Sequence, residues 1–176
     1  MSWSKALLVV GLLALGPVGC GFQPMYAKPQ GQAASPASTQ LAGIYVAGIE
    51  DRSGQILRNA LVQKINPLGE PRQRLYKLTI KLSASQEQLA ESSDGKATLG
   101  RYFVRATFNL TDANGERQLF DGNSRSVASY RLLGPRYSST ATERDAQERA
   151  LADVAEDIRT QLAAYFATAR ANGIAP

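Results

Sequence analysis

No histidine occurs in this 176-residue chain, and cysteine and tryptophan occur once each. Without histidine there is no Ser-His-Asp or Cys-His nucleophilic system, no imidazole general base and no usual transition-metal site. Carboxylate-only chemistry, as in a cell-wall glycosidase, survives this test, but it needs two acids facing each other across a cleft. The acids here fall mostly in turn-like segments (Asp94, Asp112, Asp121) or on the C-terminal helical stretch. GxGxxG and P-loop patterns are missing too. So is any apolar run of the roughly 20 residues that a bilayer-spanning helix needs. The expected chain is a binding protein, not an enzyme, with no cofactor or metal.

The single cysteine, Cys20, ends an N-terminal apolar run. Lys5 and the uncharged stretch Ala6 to Leu15 form a short basic region and an apolar core, the pattern of an export signal. Pro17-Val18-Gly19-Cys20 resembles a bacterial lipobox, in which the thiol is acylated and the chain is cut just before it. Gly19 fits the small residue at the cut; Pro17 departs from the usual leucine. The alternative is an ordinary signal with an incidental cysteine. It lacks a good cut site, because Pro17 follows Ala14-Leu15-Gly16 and would block cleavage there. The expected organisation is a signal over residues 1–19, a lipidated N-terminus and linker over 20–40, and one folded domain over 41–173. Acylation of Cys20 leaves no thiol for disulfide or redox chemistry. The net charge of +5 falls by one when Lys5 leaves. That modest excess is a weak pointer to an anionic partner and, on an exported chain, not to nucleic acid.

Residues 28 to 40 are small, polar and proline-containing, too poor in apolar surface to offset the entropy of ordering them, so they read as a flexible tether. Leu41 to Ile49 reads as a strand with Ile44 and Val46 on one face. Asp51 and Ser53 are candidate N-caps for a helix over 54–66, where Ile56, Leu57, Ala60, Leu61 and Ile65 recur at helical spacing. Pro67 stops that helix. Arg74 to Ser83 alternates, with Tyr76, Leu78, Ile80 and Leu82 on one side and Lys77, Thr79 and Lys81 on the other. Residues 84–97 are polar and read as a loop. Leu99 to Thr111 alternates again: Tyr102, Val104, Ala106, Phe108 and Leu110 oppose Arg101, Phe103, Arg105, Thr107 and Asn109. Asn114-Gly115 is a type I′ hairpin signal. The returning strand, 117–131, contains Gly122-Asn123, which suggests a bulge. Thr140 to Arg170 has neither proline nor glycine and carries an apolar stripe through Ala146, Ala150, Val154, Ile158, Leu162 and Tyr165, with Gly173 as its stop. A helix of that length, about 45 Å, exceeds the cover that a four-stranded sheet needs.

This order, βαβββα, predicts an α+β two-layer sandwich: a four-stranded, mainly antiparallel sheet with two helices on one face. The opposite face, with Lys77, Thr79, Lys81, Arg101, Phe103 and Arg105, is then left without cover from this chain. It is either solvated, as antiparallel sheets often are, or it meets a partner.

Cys20-Gly21-Phe22-Gln23-Pro24-Met25-Tyr26 resembles the mature N-terminus of LptE-type lipoproteins, where Cys-Gly-Phe-x-Pro-apolar-Tyr recurs. The likeness continues through Arg101-Tyr102, the Asn114-Gly115 hairpin and Tyr137-Ser138-Ser139 before the alanine-rich helix. It implies an outer-membrane lipoprotein facing the periplasm, with acyl chains such as palmitate on Cys20. Gly21, not being aspartate, suits export to that membrane. The resemblance further implies a plug inside the LptD β-barrel that assists barrel assembly and lipopolysaccharide transport to the cell surface. A polar barrel lumen favours a plug with a polar periphery, so Lys77, Lys81, Phe103 and Arg105 are the candidate barrel contacts. Lipopolysaccharide phosphates favour basic side chains, and Lys96, Arg101 and Arg136 are the candidates there. For each, the alternative is a solvated surface charge. Two other functions remain open. A free-standing lipid or glycolipid carrier needs an enclosed apolar cavity of several hundred cubic ångströms. A carboxylate hydrolase needs its paired acids.

Overall fold

The computed structural model describes residues 40–67, 69–71, 73–91, 97–132 and 136–173; the signal, Cys20 and Lys96 lie outside them. The elements are β1 (Ile44–Val46), α1 (Asp51–Ile65), β2 (Tyr76–Glu91), β3 (Ala97–Asp112), β4 (Gln118–Arg131) and α2 (Arg136–Ala171). The strands lie in the order β1-β2-β3-β4, with β1 parallel to β2 and the other pairs antiparallel. The expected βαβββα sandwich is what forms.

Alternation decides which face is buried. Tyr76, Leu78, Ile80, Tyr102, Val104, Ala106, Phe108, Leu110, Ala128 and Tyr130 all point to the helices and are buried. Leu57, Leu61 and Ile65 of α1 and Ala146, Ala150, Leu151, Val154, Ala155, Ile158, Leu162 and Phe166 of α2 meet them in one core. The small residues of α2 bring its axis close to the sheet. At its far end Phe166 packs on Tyr76, ring centroids 5.1 Å apart, and Tyr165 stacks on Phe120 at the same distance.

Two glycines on β3 and β4 exist because a ring lies where their side chain would be. Gly122 is the register partner of Phe108, and Gly100 that of Tyr130. An added Cβ would come within 2.5 Å of the ring atoms in both cases. The bulge expected at Gly122-Asn123 is therefore absent, since Phe108 fills the gap in an unbroken ladder. The register breaks instead between Leu110 and Thr111, next to the hairpin. That hairpin is not type I′. Gly115 has φ +81° and Asn114 has a negative φ, and the ladder closes wider, with the Asp112 N–H donating to Arg117 O. The Asp112 carboxylate accepts from the Glu116 and Arg117 N–H groups inside this turn.

Other expectations need correction. The segment 84–91 is not a loop: β2 runs on to Glu91, paired with β3 as far as Ala97. Its side chains Ser83 to Gln88 are exposed on both faces, so it shows no apolar alternation. Neither Asp51 nor Ser53 caps α1. The N-cap is Glu50, which makes no side-chain bond, and Asp51 itself takes a positive φ of 67°. The Ser53 hydroxyl instead hydrogen-bonds Tyr102 Oη at 3.2 Å and accepts from Gln147 Nε2 at 2.8 Å, tying α1 to β3 and α2. The first strand shrinks to Ile44–Val46. The stop at Asn66 is firmer than Pro67 alone implies, because buried Asn66 donates through Nδ2 to Ile44 O at 2.8 Å. Gly173 ends α2 as expected, at φ +66°.

Candidate functional site

The face turned away from the helices is built in rungs. Register places Ser83, Arg105 and Arg125 side by side, then Ser85, Phe103 and Val127, then Glu87, Arg101 and Ser129. On the other side of the arginine rung come Lys81, Thr107 and Asn123, and then Thr79, Asn109 and Asp121. Lys77, Lys81, Phe103, Arg105 and Arg101, picked out by alternation, thus share one surface. Lys77, Lys81, Arg101 and Arg105 are exposed, and Phe103 is half-buried between its neighbours.

Two residues join them that the sequence reading did not single out. Arg125 stands directly across from Arg105, and Val127, 52% exposed, stands directly across from Phe103. Like charges in opposed strand positions repel each other. Among the described residues, Lys77, Lys81, Arg101, Arg105 and Arg125 form no ion pair. The surface is thus an apolar rung bordered by cations that form no ion pair, with Glu87 and Asp121 as acids on the same face, able to take an anionic or polar partner with some apolar contact. No group of three or more potential metal ligands occurs among the described residues.

The charged pairs that do form lie elsewhere. Glu156 of α2 accepts from Arg159 on its own helix and from Lys64 of α1 at 2.8 Å. These bonds, the one from Arg159 foremost, hold its carboxyl down to about 2. Burial pushes the Tyr76 and Tyr130 phenols up. Neither phenol nor Glu156 reaches the open face.

Of the lipopolysaccharide candidates, only Arg101 is placed on this surface. Arg136 is the first residue of α2 and does not precede the helix as expected; Lys96 is outside the described residues. A groove of about 570 Å³ opens between β4 and the first half of α2, lined by Leu99, Ser129, Tyr130, Arg131, Thr142, Asp145 and Arg149. Arg149 and Asp145 pair at 2.8 Å in its wall. This open groove, with charged and apolar side chains in its wall, is not the enclosed apolar cavity that a lipid carrier needs. Among the described residues no helix is long and apolar enough to cross a membrane.

Comparison with known proteins agrees with this geometry. The chain is similar in structure to a putative lipoprotein from Caulobacter crescentus CB15, with TM-score 0.62 and 25% identity, covering 74% of this chain and 96% of that one. It also shares its fold with a minor lipoprotein from Acinetobacter baumannii, with TM-score 0.57 and 18% identity over 70% of this chain and 92% of that one. A search of curated proteins finds no match. The family model for LptE, lipopolysaccharide-assembly, matches residues 41–162, from the turn before β1 into the last third of α2. With most of the folded domain inside that match, the chain belongs to the LptE lipopolysaccharide-assembly family.

Proposed function

We propose that this protein is an outer-membrane lipoprotein, anchored through acylated Cys20 and facing the periplasm, that plugs the LptD β-barrel, assists its assembly and contacts lipopolysaccharide without making or breaking a bond. The observation that carries the reading is the open sheet face: the Arg105–Arg125 rung, with Lys81 beside it, forms no ion pair among the described residues. A polar barrel wall, or the phosphates of lipopolysaccharide, would supply the missing counter-charge. Phe103 and Val127 would add apolar contact at its centre.

The test is photo-crosslinking from Phe103 and Arg105, with Glu148 on the exposed side of α2 as the control. The expected result is an adduct with a β-barrel of roughly 50 kDa or more, the size that many strands demand. Native chain that leaves the membrane alone, with no barrel attached, would overturn the plug reading. Mass spectrometry of the mature N-terminus tests the anchor: acyl mass on Cys20 is expected, and a free thiol would remove it.

A further inference from the structure

The rungs of the open face follow an order along the strands, each about 7 Å from the next because two residues separate them. Positive charge is gathered in two neighbouring rungs, where Lys81, Arg105 and Arg125 form no ion pair among the described residues. The apolar pair Phe103 and Val127 occupies the rung after the arginines. Acids stand two rungs from the arginines on both sides, Asp121 toward the β3–β4 hairpin and Glu87 toward the far end. The margin at β4 is occupied: Thr142 Oγ1 of α2 donates to Arg131 O, Arg149 Nη2 to Ser129 O and Gln161 Nε2 to Asn123 O. A partner of Arg125 and Val127 therefore comes to the face of the sheet and not to that edge.

We infer that this face packs on the inner side of the barrel wall, which carries carboxylates opposite Lys81, Arg105 and Arg125. Two residues further along the same wall strand, an apolar side chain covers Phe103 and Val127. The inference rests on the plug reading and narrows it: here the counter-charge is protein carboxylate, not lipopolysaccharide phosphate. Arginine binds either anion bidentately, so the neighbours discriminate. The cationic stretch is a single rung spacing long, about 7 Å, and a glycolipid with several phosphates laid along it would bring further charge against Asp121 or Glu87. An open sheet face also gives acyl chains no cavity to enter. A second sheet meets both needs. Two sheets pack face to face about 10 Å apart with their strands within about 30° of each other, so rungs on one side match alternate residues on the other. Lumen-facing residues of a barrel wall recur at that spacing.

Carbodiimide joins an amine to a carboxylate with loss of water and leaves no spacer, so it reports the chemistry of what touches. The experiment uses the full-length chain in isolated membranes, with Lys77→Arg and Lys81→Arg as the background and Arg105→Lys or Arg125→Lys added to it. The expected product has the mass of chain plus barrel. Peptide mass spectrometry should find the substituted position joined to an Asp or Glu of a barrel strand, with an apolar residue two positions away. Arg105→Glu should lower barrel recovery roughly tenfold, whereas Arg105→Lys should keep most of it. Arg105→Glu sets a carboxylate opposite Arg125, so the free chain should be no less stable, and its thermal midpoint separates lost contact from lost folding. A product of lipopolysaccharide mass, or full barrel recovery with Arg105→Glu, would overturn the inference. Barrel photo-adducts from Phe103 and Arg105 with no carboxylate link at either substituted position would also overturn it, and would leave the plug reading standing. Loss of the photo-adducts as well would remove both.

Discussion

Gly122 carries no side chain because Phe108 occupies that space, and its absence can be measured. An alanine there would put its Cβ 2.5 Å from Phe108 Cζ and 2.8 Å from Gln161 Oε1. Gly122→Ala should lower stability by about 1–3 kcal/mol, the usual cost of overpacking, seen as a drop in the thermal midpoint. Gly48→Ala is the matching control. Nothing lies within 4 Å of its new methyl group, so the midpoint should stay put or rise slightly.

Glu156 gives a second prediction at this scale. Its carboxyl titrates near 2 in the folded protein, well below the ordinary 4.5. The stabilisation is fully present above about pH 4.5 and is lost as pH falls toward 2, because the unfolded chain takes up the proton first. The side chain is 44% exposed, so solvent screens the pairs and the whole effect should stay below about 1 kcal/mol. Glu156→Gln should flatten the thermal midpoint's decline between pH 4.5 and 2 and leave the rest of the profile nearly parallel. An unchanged acid slope would show that the bonds from Arg159 and Lys64 add nothing.

Among the elements, the open face was partly legible in the sequence and partly not. β2 and β3 alternate large apolar residues with polar ones, so Lys77, Lys81, Arg101, Phe103 and Arg105 could be assigned to one side from spacing alone. β4 sends Gly122, Ser124 and Ala128 toward the helices, small residues that leave no apolar beat. Arg125 and Val127 gave no signal for that reason, though the same period-2 rule applied from buried Tyr130 backward would have found them. The far half of β2 was hidden for a different reason. With solvent on both faces, it is held by backbone bonds to β3 and has no hydrophobic pattern to show.

Arg125 supplies the prediction for this scale. Removing one of two opposed arginines relieves repulsion worth a few tenths of a kcal/mol to about 1 kcal/mol. Arg125→Thr should therefore raise the stability of the isolated protein in a denaturant titration. In a pull-down, the same variant should retain less barrel. A gain in stability with undiminished barrel recovery would show the arginine rung to be an ordinary solvated surface.

In the molecule as a whole, cohesion is uneven. Buried positions cluster at Tyr76–Ile80, Tyr102–Leu110 and Ala146–Ala169, whereas the side chains of β2 from Ser83 to Gln88 lie outside the core. Opening free energy should fall in the same direction. Native-state hydrogen exchange should find the Ser85 and Glu87 amides, bonded to β3, exchanging at least tenfold faster than those of Lys77 and Thr79 near the core. Uniform protection along β2 would contradict this gradient.

The helix side chains laid over β4 bear on stoichiometry as well as on stability. A sheet with two adhesive margins behaves as a bifunctional monomer and can grow without limit, which is the route to fibres. Here Thr142, Arg149 and Gln161 of α2 occupy carbonyls along the β4 margin, so open-ended growth is blunted on that side. With one margin closed in this way, the chain reaction of strand upon strand has no second end from which to propagate.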